Sequence, residues 1–198
     1  MRSLVLGPPG QLPDALRGAL DADVATPAYT SAAEVTEVVN RFAPDFVVHV
    51  QEVDGRPETS FASMPEDEWD RRAERPLRAA LWSLQAAHHH RASVVVVVAT
   101  VGLEGAAGFV ALASAAEGIR VLAKSAARRW GRDGMMVNVV AVPPHLLGDQ
   151  LVVSDAGRNP SALESGVREA AATVALFAAA PHMTGATLIA DGGALMIP

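Results

Sequence analysis

Apolar residues along this chain alternate between short continuous runs and stretches with helical spacing. Ser3 to Leu6 predicts a strand, and Pro13 to Leu20 a short helix with proline in its first turn. A second short strand fits Asp23 to Ala25. Ser31 predicts the N-cap of a helix running to Phe42, with Glu34 completing a capping box. Asp45 to Val50 reads as an apolar strand apart from its ends, and Glu52 to Pro65 as a loop rich in glycine, proline and acid. Glu66 to Ala87 then fits a long helix with Trp69, Ala73, Leu77, Ala80, Leu81 and Leu84 on one face. Pro76 inside it predicts a kink.

The five consecutive valines Val94 to Val98 predict a central strand buried on both faces. A second long helix, built largely of alanine, spans Phe109 to Trp130. Met136 to Val142 is the next strand, ended by Pro143 and Pro144. Ser165 to Ala179 predicts the last helix and Thr187 to Ala190 the last strand. This alternation predicts an α/β protein, a doubly wound and mostly parallel sheet of about six strands with helices on both faces. No repeat or linker divides residues 1–198, so one domain is expected. Its irregular stretches are Glu52–Pro65 and Pro143–Pro160.

Half of the 198 residues are apolar and 19% are charged, which excludes a disordered chain. With 22 acidic against 16 basic residues the net charge is −6, and no basic stripe is present to meet a nucleic acid. The absence of cysteine rules out disulfides and thiolate metal sites, and nothing points to secretion. No signal peptide is expected at Met1, and the apolar run Val94 to Ala99 is far shorter than the roughly 20 residues of a membrane span. A soluble, cytoplasmic protein is expected, with neither membrane nor nucleic acid as a partner.

Several segments, in order, carry a resemblance. They are Glu68-Trp69-Asp70-Arg71; Gly102-Leu103 with Gly105 and Gly108; Ile119 to Trp130 followed by Gly134-Met-Met-Val-Asn-Val-Val-Ala; and Met183 to Leu188 with Ala190-Asp191-Gly192-Gly193. Together they resemble the short-chain dehydrogenase/reductase family over nearly the whole chain. The resemblance implies a Rossmann-like fold and a redox reaction run by four residues. In that family a tyrosine hydroxyl moves a proton, a lysine four residues on lowers its pKa, a serine orients the carbonyl, and an asparagine supports a relay. Gapless alignment from Lys124 puts Leu112 at the tyrosine and Ala116 at the lysine. Ala99 falls at the serine, beside Thr100, and Pro76 at the asparagine. The chain has one tyrosine, Tyr29, and one lysine, Lys124, so no Tyr-x-x-x-Lys pair exists anywhere in it.

Loss of the cofactor NAD(P) is expected as well. The family's glycine-rich turn reads here Gly7-Pro8-Pro9-Gly10-Gln11-Leu12-Pro13, with only Gly7 in place and three prolines lacking N–H donors. His49-Val50-Gln51-Glu52 stands where the family has "NNAG". The segment before Asp45 is short by about one strand–helix unit. The resemblance further implies that helices 66–87 and 109–130 and the C-terminal strand are assembly surfaces.

His88-His89-His90 could hold a metal, but adjacent histidines at a helix end diverge, and no metal site is expected. His49, Gln51, Glu52, Thr100 and His145 are expected at the strand C-termini, as a repurposed acid–base site or as the polar rim of an empty or plugged cleft. Glu104 and Glu117 read as solvated. The leading expectation is a catalytically inactive subunit that assembles with an active dehydrogenase homologue, with NAD(P) bound only by that partner; a homo-oligomer would use the same helices. The alternatives are a cofactor-independent lyase, isomerase or cyclase, and a module that senses a nucleotide or small metabolite.

Overall fold

The computed structural model describes residues 1–148, 162–193 and 195. Its strands are β1 (Ser3–Leu6), β2 (Asp23–Ala25), β3 (Phe46–Val50), β4 (Ser93–Ala99), β5 (Val137–Val142) and β6 (Thr187–Ile189). They form one sheet in the order β2-β1-β3-β4-β5-β6, with every neighbouring pair parallel. Parallel neighbours need crossovers, and helices supply them: α1 (Gln11–Leu20), α2 (Ala32–Phe42), α3 (Glu66–Trp69), α4 (Arg75–His89), α5 (Val101–Glu104), α6 (Val110–Trp130) and α7 (Ala162–Ala179).

Side chains alternate across the sheet, so each strand feeds two cores. Val94, Val96 and Val98 of β4 join Val35 and Val39 of α2, Ala80 and Leu84 of α4 and Ile119 of α6. Val95, Val97 and Ala99 point the other way, to Leu12 and Leu16 of α1 and Val174 and Phe177 of α7. The valine run is therefore buried on both faces, as its composition predicts. The Rossmann-like, doubly wound fold is present.

The long helix expected at 66–87 is interrupted. Between α3 and α4 lies a π-helical turn, Asp70–Glu74. Pro76 has no N–H to give the carbonyl four residues back, and its ring crowds that carbonyl; a wider turn just before it relieves both problems. The capping box at α2 is also altered. Ser31 Oγ accepts from Glu34 N at 3.2 Å, but the Glu34 carboxylate takes Ala28 N and Thr30 N instead of the cap residue's own N–H. The helix α5 was not expected, and α7 starts three residues earlier than its apolar spacing implied. Of the irregular stretch Pro143–Pro160, residues 144–146 form a 3-10 turn, while 149–160 lie outside the described residues.

Asn138, in the apolar strand β5, fastens the sheet edge. Its amide donates to Met183 O at 2.7 Å and accepts from Ala186 N at 3.1 Å. Thr184 Oγ1 accepts from Val137 N at 3.1 Å, and Gly185, at φ 75°, turns the chain into β6.

Across the sheet, Gly7 closes β1 where β3 passes beside it. A Cβ there would stand 2.8 Å from Val50 Cβ. Gly7→Ala is expected to lower the unfolding free energy by about 1–3 kcal/mol, the usual cost of overpacking, read from the midpoint and slope of urea unfolding.

Candidate functional site

In an open parallel sheet, ligands bind beyond the strand C-termini where the strand order reverses, here between β1 and β3. The loop after β1 runs Gly7 to Gly10, and α1 begins at Gln11 with Gly10 extended and no side-chain cap. A pyrophosphate would need free N–H donors and a positive helix end. Pro8, Pro9 and Pro13 remove donors, and Asp14 places a carboxylate in the first turn of α1. These residues fit a dinucleotide pyrophosphate poorly.

Beyond β3 the chain turns polar. Gln51 is fully buried; its side-chain oxygen accepts from Ala99 N at 3.0 Å, joining the ends of β3 and β4, while its Nε2 has no hydrogen-bond partner. Thr100 is buried as well, its N–H donating to Val142 O at 2.9 Å. Glu52 is half-buried and lines a cavity of about 240 Å³ together with Val53, Asp54, Arg56, Arg71, Arg75 and Pro76. His145 is half-buried on the 3-10 turn after β5.

His49 does not reach this rim. Position 49 shares its face of β3 with Val47, so the ring is directed into the core beneath α2 and α4 and is 1% exposed. Its Nδ1 lies 3.0 Å from Ser83 Oγ and 3.5 Å from the Tyr29 hydroxyl, and Nε2 has no hydrogen-bond partner. Burial pulls the His49 pKa down to about 4 and pushes the Tyr29 hydroxyl up. The five residues expected at one rim are thus divided: His49 and Gln51 are enclosed, and Glu52 stands at the cavity.

The positions implied by the family alignment are packed. Leu112 and Ala116 on α6 are 5% and 0% exposed, Ala99 ends β4 inside the core, and Pro76 is buried in the first turn of α4. Tyr29 lies in the loop before α2 and Lys124 is exposed on α6.

What covers Leu112 was not visible in the sequence. Glu58, from the loop after β3, sets its carboxylate on the N-terminus of α6, accepting from Ala111 N at 3.2 Å and Leu112 N at 3.0 Å. The same loop is gripped by Arg72 of the π turn, which donates to the carbonyls of Asp54, Arg56 and Pro57 at 3.2, 2.9 and 2.9 Å. Arg72 Nε is 2.9 Å from Glu68 Oε1, an ion pair without hydrogen-bond alignment. Glu68 in turn accepts from Thr59 N and Oγ1, which hold its pKa below the usual carboxylate range. Asp54 is held far down by hydrogen bonds from Arg56, with Arg72 close by. The one hint in the sequence was the i,i+4 pair Glu68/Arg72.

In the histidine run, His88 and His89 meet edge to face with ring centroids 6.5 Å apart. His88 stacks on Trp130 with ring centroids 4.7 Å apart, and His90 Nε2 lies 2.7 Å from Asn40 Oδ1. Glu117 pairs with Arg120, and Glu104 is exposed. Among the described residues no group of three or more His, Asp or Glu side chains is placed to hold a metal, and no helix is long and apolar enough to cross a membrane.

No family model and no curated protein matches the sequence. Solved structures do match. A short-chain dehydrogenase/reductase from Serratia marcescens superposes with a TM-score of 0.76 at 22% identity, over 97% of this chain and 96% of that one. A variant of a Serratia marcescens short-chain dehydrogenase/reductase with two phenylalanines replaced gives 0.78 at 22% identity over the same shares. The fold is that of the short-chain dehydrogenases/reductases. These structures are also of closely similar length to this chain.

The enclosed His49 gives a pH dependence with a definite sign. Its folded pKa of about 4 lies below the ordinary imidazole value of 6.5, so between these values the unfolded chain binds the proton and the folded chain does not. Stability is full above pH 6.5 and falls as pH drops towards 4, by about 1.4 kcal/mol per pH unit within that window. Urea unfolding at pH 7 and pH 5 should show this loss, and His49→Gln should remove most of the difference.

Proposed function

We propose that this chain is a non-catalytic subunit of short-chain dehydrogenase/reductase fold that assembles with a catalytically intact homologue in the cytoplasm and stabilises or regulates it. The observation that carries the reading is the absence of any Tyr-x-x-x-Lys pair in a chain with one tyrosine and one lysine. General acid–base transfer needs a titratable group within hydrogen-bond reach of the reacting atoms, and Leu112 and Ala116 supply none. The first turn of α1 and the carboxylate of Glu52 support a second element of the proposal, that NAD(P) is bound by the partner and not by this chain.

The assembly surface would be the outer face of α4 and α6. These helices pack closely, since a Cβ on Gly118 would meet Leu77 Cδ1 at 2.9 Å. Outward they present Leu81 and Val121, the latter 58% exposed, and β6 adds Ile189 at the sheet edge. A charge placed in such a patch opposes its burial against a partner.

A tagged pull-down from the native cells, with native mass spectrometry of the product, is the direct test. A stoichiometric partner with an intact Tyr-x-x-x-Lys motif is expected, and Val121→Arg should release it while leaving the fold intact by circular dichroism. Recovery of a homo-oligomer alone would overturn the partner reading.

The second reading, a small-molecule-binding module, is favoured by the cavity that Arg56, Arg71 and Arg75 share with Glu52 and Asp54. Fluorescence titration with NADH and NADPH separates the two. No saturable binding is expected for the isolated chain; saturation would favour the second reading and refute the loss of the dinucleotide site.

A further inference from the structure

We propose that residues 52–65 form a latch between the end of β3 and α6, closed by the Glu58 carboxylate on the N-terminus of α6, which opens as a local unit while the sheet stays folded. This goes beyond the subunit reading and holds whether or not a partner exists.

The closed state has identifiable fasteners, and nearly all of them are polar. Glu58 satisfies two of the orphan N–H groups that every helix start leaves, at Ala111 and Leu112. The flanking residue Phe109 provides no side-chain cap of its own. Along the first half of the latch, the buried Arg72 and Glu68 hold Asp54, Arg56, Pro57 and Thr59. Arg72 and Glu68 thus hold the residues on either side of Glu58, and Glu58 fastens the same stretch of loop to α6.

Apolar burial contributes little to this closure. Val53 packs against a core, whereas Phe61, farther along, is 74% exposed. A cavity of about 240 Å³ opens among residues 52–54, Arg56, Arg71, Arg75 and Pro76, and where the loop meets the helix there the contact is polar, Arg71 Nε donating to Asp54 Oδ2 at 3.3 Å. Segments with few buried apolar contacts open at a fraction of the global unfolding free energy. By contrast, β3, β4 and β5 are buried on both faces and open only with the whole domain.

Opening would free Ala111 N and Leu112 N. Any anion that takes these N–H groups must displace Glu58, because both already donate to it.

Amide hydrogen exchange on the full chain, comparing wild type with Glu58→Ala and Glu58→Gln, tests this. In Glu58→Ala the amides of 111, 112 and the latch should exchange about fivefold faster or more, the range expected for loss of a helix cap, with β3–β5 unchanged. Glu58→Gln, which keeps an acceptor but no charge, should fall between. Chymotryptic cleavage after Phe61 should accelerate in the same order. Unchanged exchange at 111, 112 and the latch would overturn the proposal. So would acceleration that appears equally in β3–β5, since Glu58 would then be supporting the whole fold.

Discussion

Strand β4 has no polar side chain between Val94 and Ala99, and both of its faces are covered. Each of its backbone groups must therefore be paired within the sheet, which fixes β3 and β5 as parallel neighbours in register. Parallel pairing demands crossovers, and crossovers on both faces produce two helical layers. The same constraint decides where polar side chains can stand. Along β3, Val47 and His49 share one core while Phe46, Val48 and Val50 share the other. A histidine one residue from the strand end is consequently buried with Ser83 and Tyr29, and the first side chain free to line an opening is Glu52.

Past the strand ends, satisfaction of backbone groups passes from the sheet to side chains. Gln51 joins β3 to β4, Glu58 takes the start of α6, and Arg72 serves three consecutive-region carbonyls that have no ladder to join. A buried ion pair such as Arg72–Glu68 is weak evidence for stability, because desolvation offsets much of its attraction. Its value is geometric: a planar guanidinium with five donors holds a loop in one path. The π turn makes that possible, since it places Arg72 where the widened helix meets the loop.

The fold was legible because it rests on periodicity and on local rules. Five valines, the Ser31 cap and Pro76 each act within a few residues of themselves. The family-like segments were legible for a related reason. Asn138 and Thr184 fasten β5 to the chain entering β6, Gly102 leaves only 2.7 Å for a Cβ against Glu117 Cγ, and Gly118 lets α6 approach Leu77. These are packing and pairing residues, so a resemblance built on them speaks for architecture. The path of the loop after β3 was not legible, because it depends on pairs far apart in sequence. Glu58 meets Ala111 across 53 residues, and no period or spacing announces such a meeting. The depth of His49 was also missed. Its position at the end of an apolar strand read as proximity to the rim, whereas the two-residue period, followed strictly, puts it with Val47.

The distinction between architecture and chemistry bears directly on α6. In this chain the helix runs for 21 residues, with Gly118 against Leu77 of α4 and with Leu112 and Ala116 buried. A helix start still exposes N–H groups, and with Phe109 offering no cap the demand must be met from elsewhere. Glu58 meets it from the loop after β3. The carboxylate thereby satisfies the helix end and covers the position of Leu112 in a single contact. The contact that fastens the loop after β3 to α6 is therefore also the one that satisfies the start of that helix.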